Sequence, residues 1–238
     1  MERVAKYISS CGYCSRREAE KLILSGKVKV NNSTISIVST LIGPGDLVEI
    51  EGVILHRPKI RLWKYYKPRG FVTTHKDPEG RKTIFEDIFA KNSANGKNEC
   101  SGHSFQSKHI ISVGRLDIES EGLLLLTNSG ELARELELPK NNFKRLYKVK
   151  AYGKFTKASL ELLEKGITHK GLQYKPCKIK HIKTNLSNHW FEVEIFEGKN
   201  REIRNIFSHI NMQVNRLIRI EYGPYKLGSM KQSQIEEV

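Results

Sequence analysis

GRLDIESEGLLLLTN, residues 114–128, sets an acidic turn between two apolar runs. Ile110 to Val113 lead into it and Leu123 to Leu126 close it, and both runs read as buried strands. Asp117 falls at the glycine-flanked turn between them. Rigid strand ends that open into a cleft aim the side chains they carry, so Asp117 is a candidate catalytic carboxylate. An aspartate at such a turn also commonly closes it through its own side chain. The local residues leave both readings open.

Downstream, Leu146 to Tyr152, Cys177 to Ile182 and Phe191 to Phe196 alternate at period two, as half-buried strands do. Tyr147 shares a strand face with Val149 and Ala151, opposite Leu146, Lys148 and Lys150. By residue type it is a core tyrosine. Thr156 to Lys165 and Asn200 to Ile210 have helical spacing. On the latter, Ile203, Ile206, Phe207 and Ile210 form a core stripe, with Arg201, Arg204, Asn205 and Ser208 on the adjoining polar stripe. Arg204 lies at the boundary, placed for a surface ion pair or for entry into a cleft. Upstream, Arg61 to Tyr66 and Phe71 to Thr74 read as strands around a Lys67-Pro68-Arg69-Gly70 turn. KNSANGKNECSGHSFQSKH, residues 91–109, is nearly free of aliphatics and reads as a mobile loop. Strands and helices mix without a regular βαβ repeat, which predicts an α+β fold on a mixed, mainly antiparallel sheet.

The first 52 residues read as a separate small domain of two helices followed by strands. Val4, Tyr7, Ile8 and Cys11 follow helical spacing, and Gly12 stops that helix. Ser15 and Glu18 form a capping box for a second helix, whose apolar face is Ala19, Leu22 and Ile23 and whose end is Gly26. Lys27 to Val30 alternates as a strand, Asn31-Asn32 is a turn, and Gly43-Pro44-Gly45-Asp46 is a turn before Leu47 to Ile50. Residues 53–60, with Pro58, read as a linker to a second domain at 61–238.

The 238 residues carry 41 Lys+Arg against 26 Asp+Glu, a formal charge of +15. Eighteen basic and six acidic residues fall within 140–219, so most of the surplus sits in one stretch. Such a concentration predicts a polyanionic partner. The longest aliphatic run is four leucines, too short to span a membrane, and the polar start has no signal-peptide core. Four cysteines are too few for a disulfide framework in a chain of this length, so a reducing cytoplasm is expected. Cys11 and Cys14 form a Cys-x-x-Cys with no second pair or spaced histidines to complete a metal site.

Two resemblances follow from these motifs. CGYCSRREAEKLILSGKVKVNN (11–32) with GPGDLVEIEG (43–52) resembles the S-four-type RNA-binding domain. The resemblance implies that Arg16, Arg17, Lys21, Lys27 and Lys29 face RNA phosphates, and their clustering at a capped helix start and the next strand agrees. GRLDIESEGLLLLTN resembles the signature of the pseudouridine synthases of ribosomal RNA, in the branch that carries such a front domain. YYKPRGFVTT (65–74), LYKVKAYG (146–153), EGKNREIRNIF (197–207) and RIEYGPYKLG (219–228) match further family motifs in order. Ser120 stands where Thr is usual, Ser129 where Asp is usual, and the loop at 91–109 is longer than the family's typical connection.

This resemblance implies isomerisation of uridine to pseudouridine in ribosomal RNA, a reaction without net redox change that calls for no cofactor and no metal. It implies that Asp117 is the nucleophile on a flipped-out uridine, that Arg204 pairs with it, and that Tyr147 stacks on the base and helps remove the proton from carbon 5. Arg115 would enter the space left by the flipped nucleotide. Lys67, Arg69 and Arg201 join the expected RNA contacts. The expected protein is a cytoplasmic monomer acting on large-subunit ribosomal RNA, a subunit favoured because that relative is widespread. Competing expectations are modification of the small-subunit RNA and a non-catalytic ribosome-assembly factor of the same fold. A DNA-binding regulator lacks a recognition-helix pair.

Overall fold

The computed structural model describes residues 1–94 and 109–238, with the backbone alone over 91–94. Among these residues two compact units form. One is Met1–Leu62 with residues 109–111 and Leu126–Ala133; the other is residues 63–94, Ser112–Leu125 and Arg134–Val238.

The front of the chain runs β1 (Glu2–Arg3), α1 (Val4–Ser10), α2 (Arg16–Leu24), β2 (Val28–Val30), β3 (Ser33–Ile35), β4 (Leu41–Ile42), β5 (Val48–Ile50) and β6 (Val53–Ile54). The capping box forms as expected: Glu18 N donates to Ser15 Oγ at 3.3 Å, and Ser15 N to Glu18 Oε2 at 3.0 Å. Asn31 and Asn32 take φ of 50° and 64°, a conformation asparagine tolerates, and so turn β2 back as β3. Ile8, Ala19, Ile23, Val28 and Ile50 close a small core. Cys11 and Cys14 pack against that core, and burial pushes the Cys14 thiol up to about 11. The expected linker begins too early. Val53–Ile54 pairs with β5, and Leu55 is buried with the core, because the apolar pattern continues past the Glu51-Gly52 turn.

The remaining elements are β7 (Leu62–Lys67), α3 (Ile84–Ala94), β8 (Ile111–Val113), β9 (Glu121–Thr127), α4 (Gly130–Glu137), β10 (Arg145–Tyr152), α5 (Lys157–Glu164), β11 (Ile167–His169), β12 (Leu172–Tyr174), β13 (Lys178–Asn185), β14 (Asn188–Ile195), α6 (Glu202–His209), β15 (Gln213–Tyr222), β16 (Tyr225–Lys226) and β17 (Ile235–Glu237). Their main sheet has the order β13-β14-β10-β15-β9-β7-β17, with β16 beside β15 and β8 beside β9. β10 is antiparallel to both neighbours, while β9 and β15 run parallel, so the fold is α+β on a mixed sheet.

Two expectations fail here. Phe71 to Thr74 is not a strand; only an isolated bridge joins Val72 to Thr83, and Thr73 spends its hydroxyl on Leu116. Residues 91–94 belong to α3 rather than to a loop, because helical hydrogen bonding carries a polar end past the apolar Ile84, Phe85 and Ile88. The rest of that expected loop, up to residue 108, lies outside the described residues.

β9 is buried along its whole length, and its four leucines are fully enclosed. Its parallel pairing with β15 sets Gly122 against Arg219. A Cβ on Gly122 would lie 2.3 Å from the Arg219 carbonyl oxygen, and its φ of +105° is itself poor for any other residue. Gly122→Ala should therefore cost about 2–3 kcal/mol through clash and backbone strain. Urea denaturation would show it, and an unchanged midpoint would contradict this account of the parallel junction.

Candidate active site

The turn that carries Asp117 is held carbonyl by carbonyl. Thr73 Oγ1 donates to Leu116 O at 2.8 Å. Lys67 Nζ and Ser120 N donate to Asp117 O at 3.1 and 2.9 Å. Gly70 N donates to Ile118 O at 2.8 Å, Arg204 Nη2 to Glu119 O at 2.9 Å, and Lys67 Nζ to Ser120 O at 2.8 Å. Five consecutive carbonyls thus have donors from β7, the segment after it, the turn itself and α6. A backbone tied at each residue presents its side chain in one place.

That side chain lies at a cleft of about 750 Å³, lined also by Arg115, Tyr147, Arg201, Glu202 and Arg219. Tyr147 is buried on β10 with Val149 and Ala151, on the face expected, and its register partner on β15 is Arg219. Arg115 is exposed at the cleft. Arg201 Nη1 stands 3.9 Å from Asp117 Oδ2. Arg219 is 3 % exposed; its Nε donates to Leu123 O at 2.7 Å, and its Nη2 has no hydrogen-bond partner among the described residues. Arg145 and Arg219 lie over the Tyr222 ring, 4.8 and 4.9 Å from its centroid.

Three candidates stand differently from expectation. Arg204 makes no ion pair with Asp117; its guanidinium binds the carbonyls of Val214 and Glu119, so it steadies the turn from below. The cation nearest the carboxylate is Arg201, aimed from the start of α6 where its φ is 50°. Lys67 does not face RNA at all. It is fully buried and bonded to the carbonyls of Pro68, Asp117 and Ser120, and burial pulls its pKa down to about 8, against the nearby charges of Asp117, Glu121 and Glu119. Its burial was visible in the alternation Trp63, Tyr65, Lys67. Arg69 is exposed and bonded to Glu119, at 2.7 Å through Nε. In the front unit Arg16, Arg17, Lys21, Lys27 and Lys29 are all exposed, with Lys27 paired to Glu51 at 2.9 Å and Lys29 to Glu49 at 3.5 Å.

Residues 61–209 match the sequence profile of the RNA pseudouridylate synthases, and residues 2–48 match the S4 domain. The chain belongs to the RNA pseudouridylate synthase family. This pseudouridine synthase is therefore an isomerase with an S4 RNA-binding domain at its front. It is 48% identical over 239 residues to a protein of Rickettsia felis named an uncharacterized RNA pseudouridine synthase, covering 100% of this chain and 97% of that one. It is 34% identical over 235 residues to ribosomal large subunit pseudouridine synthase B of Escherichia coli O6:H1, covering 95% and 75%. A crystal structure of a pseudouridylate synthase shares its fold, with a TM-score of 0.65 at 22% identity over 100% of this chain and 96% of that one.

One group in the synthase's cleft was not foreseen. Glu202, at the first turn of α6, is 4 % exposed; its Oε2 accepts from Lys199 N at 3.0 Å and its Oε1 has no hydrogen-bond partner among the described residues. Burial and the neighbouring Glu197 carboxylate push it up to about 7, while Lys175 N and Lys199 hold Glu197 low. A carboxyl raised in the folded state favours folding most below the ordinary carboxylate range and loses that contribution as pH climbs through about 7. Glu202→Gln, which keeps the neutral shape, should thus be more stable than the native protein at pH 8, by on the order of 1 kcal/mol, and level with it near pH 5. Thermal melts at the two pH values check this, and parallel shifts at both would rule it out.

Proposed function

We propose that this synthase converts uridine to pseudouridine in ribosomal RNA of the large subunit, as a cytoplasmic monomer, with Asp117 as the nucleophile on a flipped-out base. The observation that carries the catalytic assignment is the turn from Leu116 to Ser120, whose every carbonyl is tied while its carboxylate opens on the cleft. Covalent catalysis requires an ionised carboxylate held rigidly at the reacting carbon. Arg201 Nη1 faces that carboxylate from 3.9 Å.

In the reaction the Asp117 oxygen bonds to the anomeric carbon as the bond from that carbon to uracil nitrogen 1 breaks. The freed uracil keeps the bonding pair and turns beneath Tyr147. Carbon 5 then bonds to the anomeric carbon and Asp117 leaves with its own electron pair. The proton on carbon 5 departs, in this reading with help from Tyr147, and nitrogen 1 gains one. Nothing is oxidised or reduced. The base must leave its stack to reach a carboxylate in a cleft, and in this reading Arg115, which is exposed there, would fill the gap.

The ribosomal target is supported by the name of the Escherichia coli relative, and the basic stretch 140–219 suits any RNA. Pseudouridine mapping of ribosomal RNA from cells with and without the gene tests it. Loss of one or a few modifications from the large-subunit RNA is expected. Loss confined to the small subunit would move the target there, and unchanged maps of both would defeat the ribosomal assignment.

A further inference from the structure

We propose that the open face of β13, β14, β10 and β15, centred on Trp190, is a second RNA-contact surface that stacks unpaired bases outside the catalytic cleft. Strand register builds the surface. Lys183 lies across from Trp190, Trp190 from Lys150, and Lys150 from Arg216, so one row crosses four strands. Residues directly opposite in neighbouring strands sit side by side on the same face. Trp190 is thus flanked by a lysine on each side. Tyr152, two residues beyond Lys150 on the same face, is 51% exposed.

The opposite face of these strands is the apolar one. Tyr147, Val149, Phe191, Val193 and Ile195 are buried there, leaving the Trp190 face to solvent. A solvent face of a sheet needs only polar residues. Aromatic rings set among cations on a sheet are instead the composition that stacks single-stranded bases and holds the backbone between them.

The charges on the face favour the same occupant. Glu194 pairs with Lys178 at 3.3 Å, and Glu192 lies across from both Lys148 and Lys180. Arg216 is engaged by Glu121 at 2.5 Å. In the Trp190 row Lys150 and Lys183 are in no ion pair among the described residues, which leaves two cations for phosphates. Lysines on an edge strand such as β13 also discourage sheet-to-sheet pairing. That role explains neither Trp190 nor Lys150, which sits on the interior strand β10.

The chain has two tryptophans, and Trp63 is 1% exposed, so a change in tryptophan emission on RNA binding reports Trp190. The full-length protein would be titrated with an oligoadenylate of about 12 nucleotides, which contains no uridine for the cleft. Quenching is expected. Lys150→Glu with Lys183→Glu should weaken the quenching transition about tenfold and flatten its salt dependence by about 1.4 in the log–log slope. The same double variant should keep the native single-turnover rate on saturating ribosomal RNA transcript, since neither lysine lines the cleft. Trp190→Ala should weaken binding, measured by anisotropy of labelled RNA, by roughly 5- to 100-fold, while Trp190→Phe should largely preserve it. No quenching at saturating RNA, or quenching unchanged by the charge reversals, would overturn the proposal and leave this face to a protein or to solvent.

Discussion

Asp117→Asn is expected to lower the single-turnover rate of pseudouridine formation by at least about 10³-fold while leaving RNA affinity within about threefold. The substitution is nearly isosteric, so the bonds to the carbonyls of residues 116–120 survive, because they involve the backbone and not the replaced oxygen. What disappears is the anionic oxygen that would bond to the anomeric carbon. An amide is a far weaker nucleophile and gives Arg201 no charge to face. On the proposed reading RNA is held by exposed cations elsewhere, which the change does not touch. A tritium-release or sequencing assay on unmodified transcript, paired with a filter-binding isotherm, separates the two quantities. Activity within tenfold of the native enzyme would end the nucleophile assignment, and a matching loss of affinity would make Asp117 a binding residue instead.

Lys67→Met is expected to lower stability by about 3–5 kcal/mol and to abolish most activity at temperatures where the protein remains folded. Methionine fits the same buried stem but carries no donor. Pro68 O and Ser120 O then lose the donor that Lys67 supplies, and Asp117 O keeps only Ser120 N. Buried carbonyls without donors are costly, and the turn would relax to find others. Relaxation moves Asp117, and a displacement of about 1 Å at a reacting group costs about 10²-fold in rate. A thermal melt and a single-turnover assay read the two effects together. Native values in both would show that the Lys67 ammonium does not organise the turn.

Sequence-local features were the readable ones. The Ser15–Glu18 box, the Asn31-Asn32 turn and the alternation around Tyr147 depend on residues within four positions of one another, and each is where its pattern indicates. The helix from Thr156, capped by the Thr156 side chain, and the one after Asn200, which begins beyond Arg201, likewise appear. Phe71 to Thr74 failed because strand character there depended on a neighbouring strand that the fold does not supply. Lys67 was misread because a lysine beside a turn is usually solvated, and only the parity of Trp63, Tyr65 and Lys67 hinted otherwise.

The acidic run DIESE shows the division most clearly. Its residues alone establish a charged turn ahead of a buried strand, and family likeness attaches a reaction to Asp117. Sequence cannot say what answers each charge, because the partners are distant in the chain. Asp117 faces Arg201, Glu119 faces Arg69 and Glu121 faces Arg216, each brought close by strand pairing or by the start of α6. Charge attraction acts through space, so the apparent acidic patch becomes three arginine-matched carboxylates. Composition and pattern determined an α+β fold with a polyanion-seeking charge, and family resemblance supplied the RNA enzyme and its candidate nucleophile. Tertiary structure alone decided that Lys67 is a buried brace, that Arg204 holds backbone rather than the carboxylate, and that Glu202 enters the cleft buried beside Glu197.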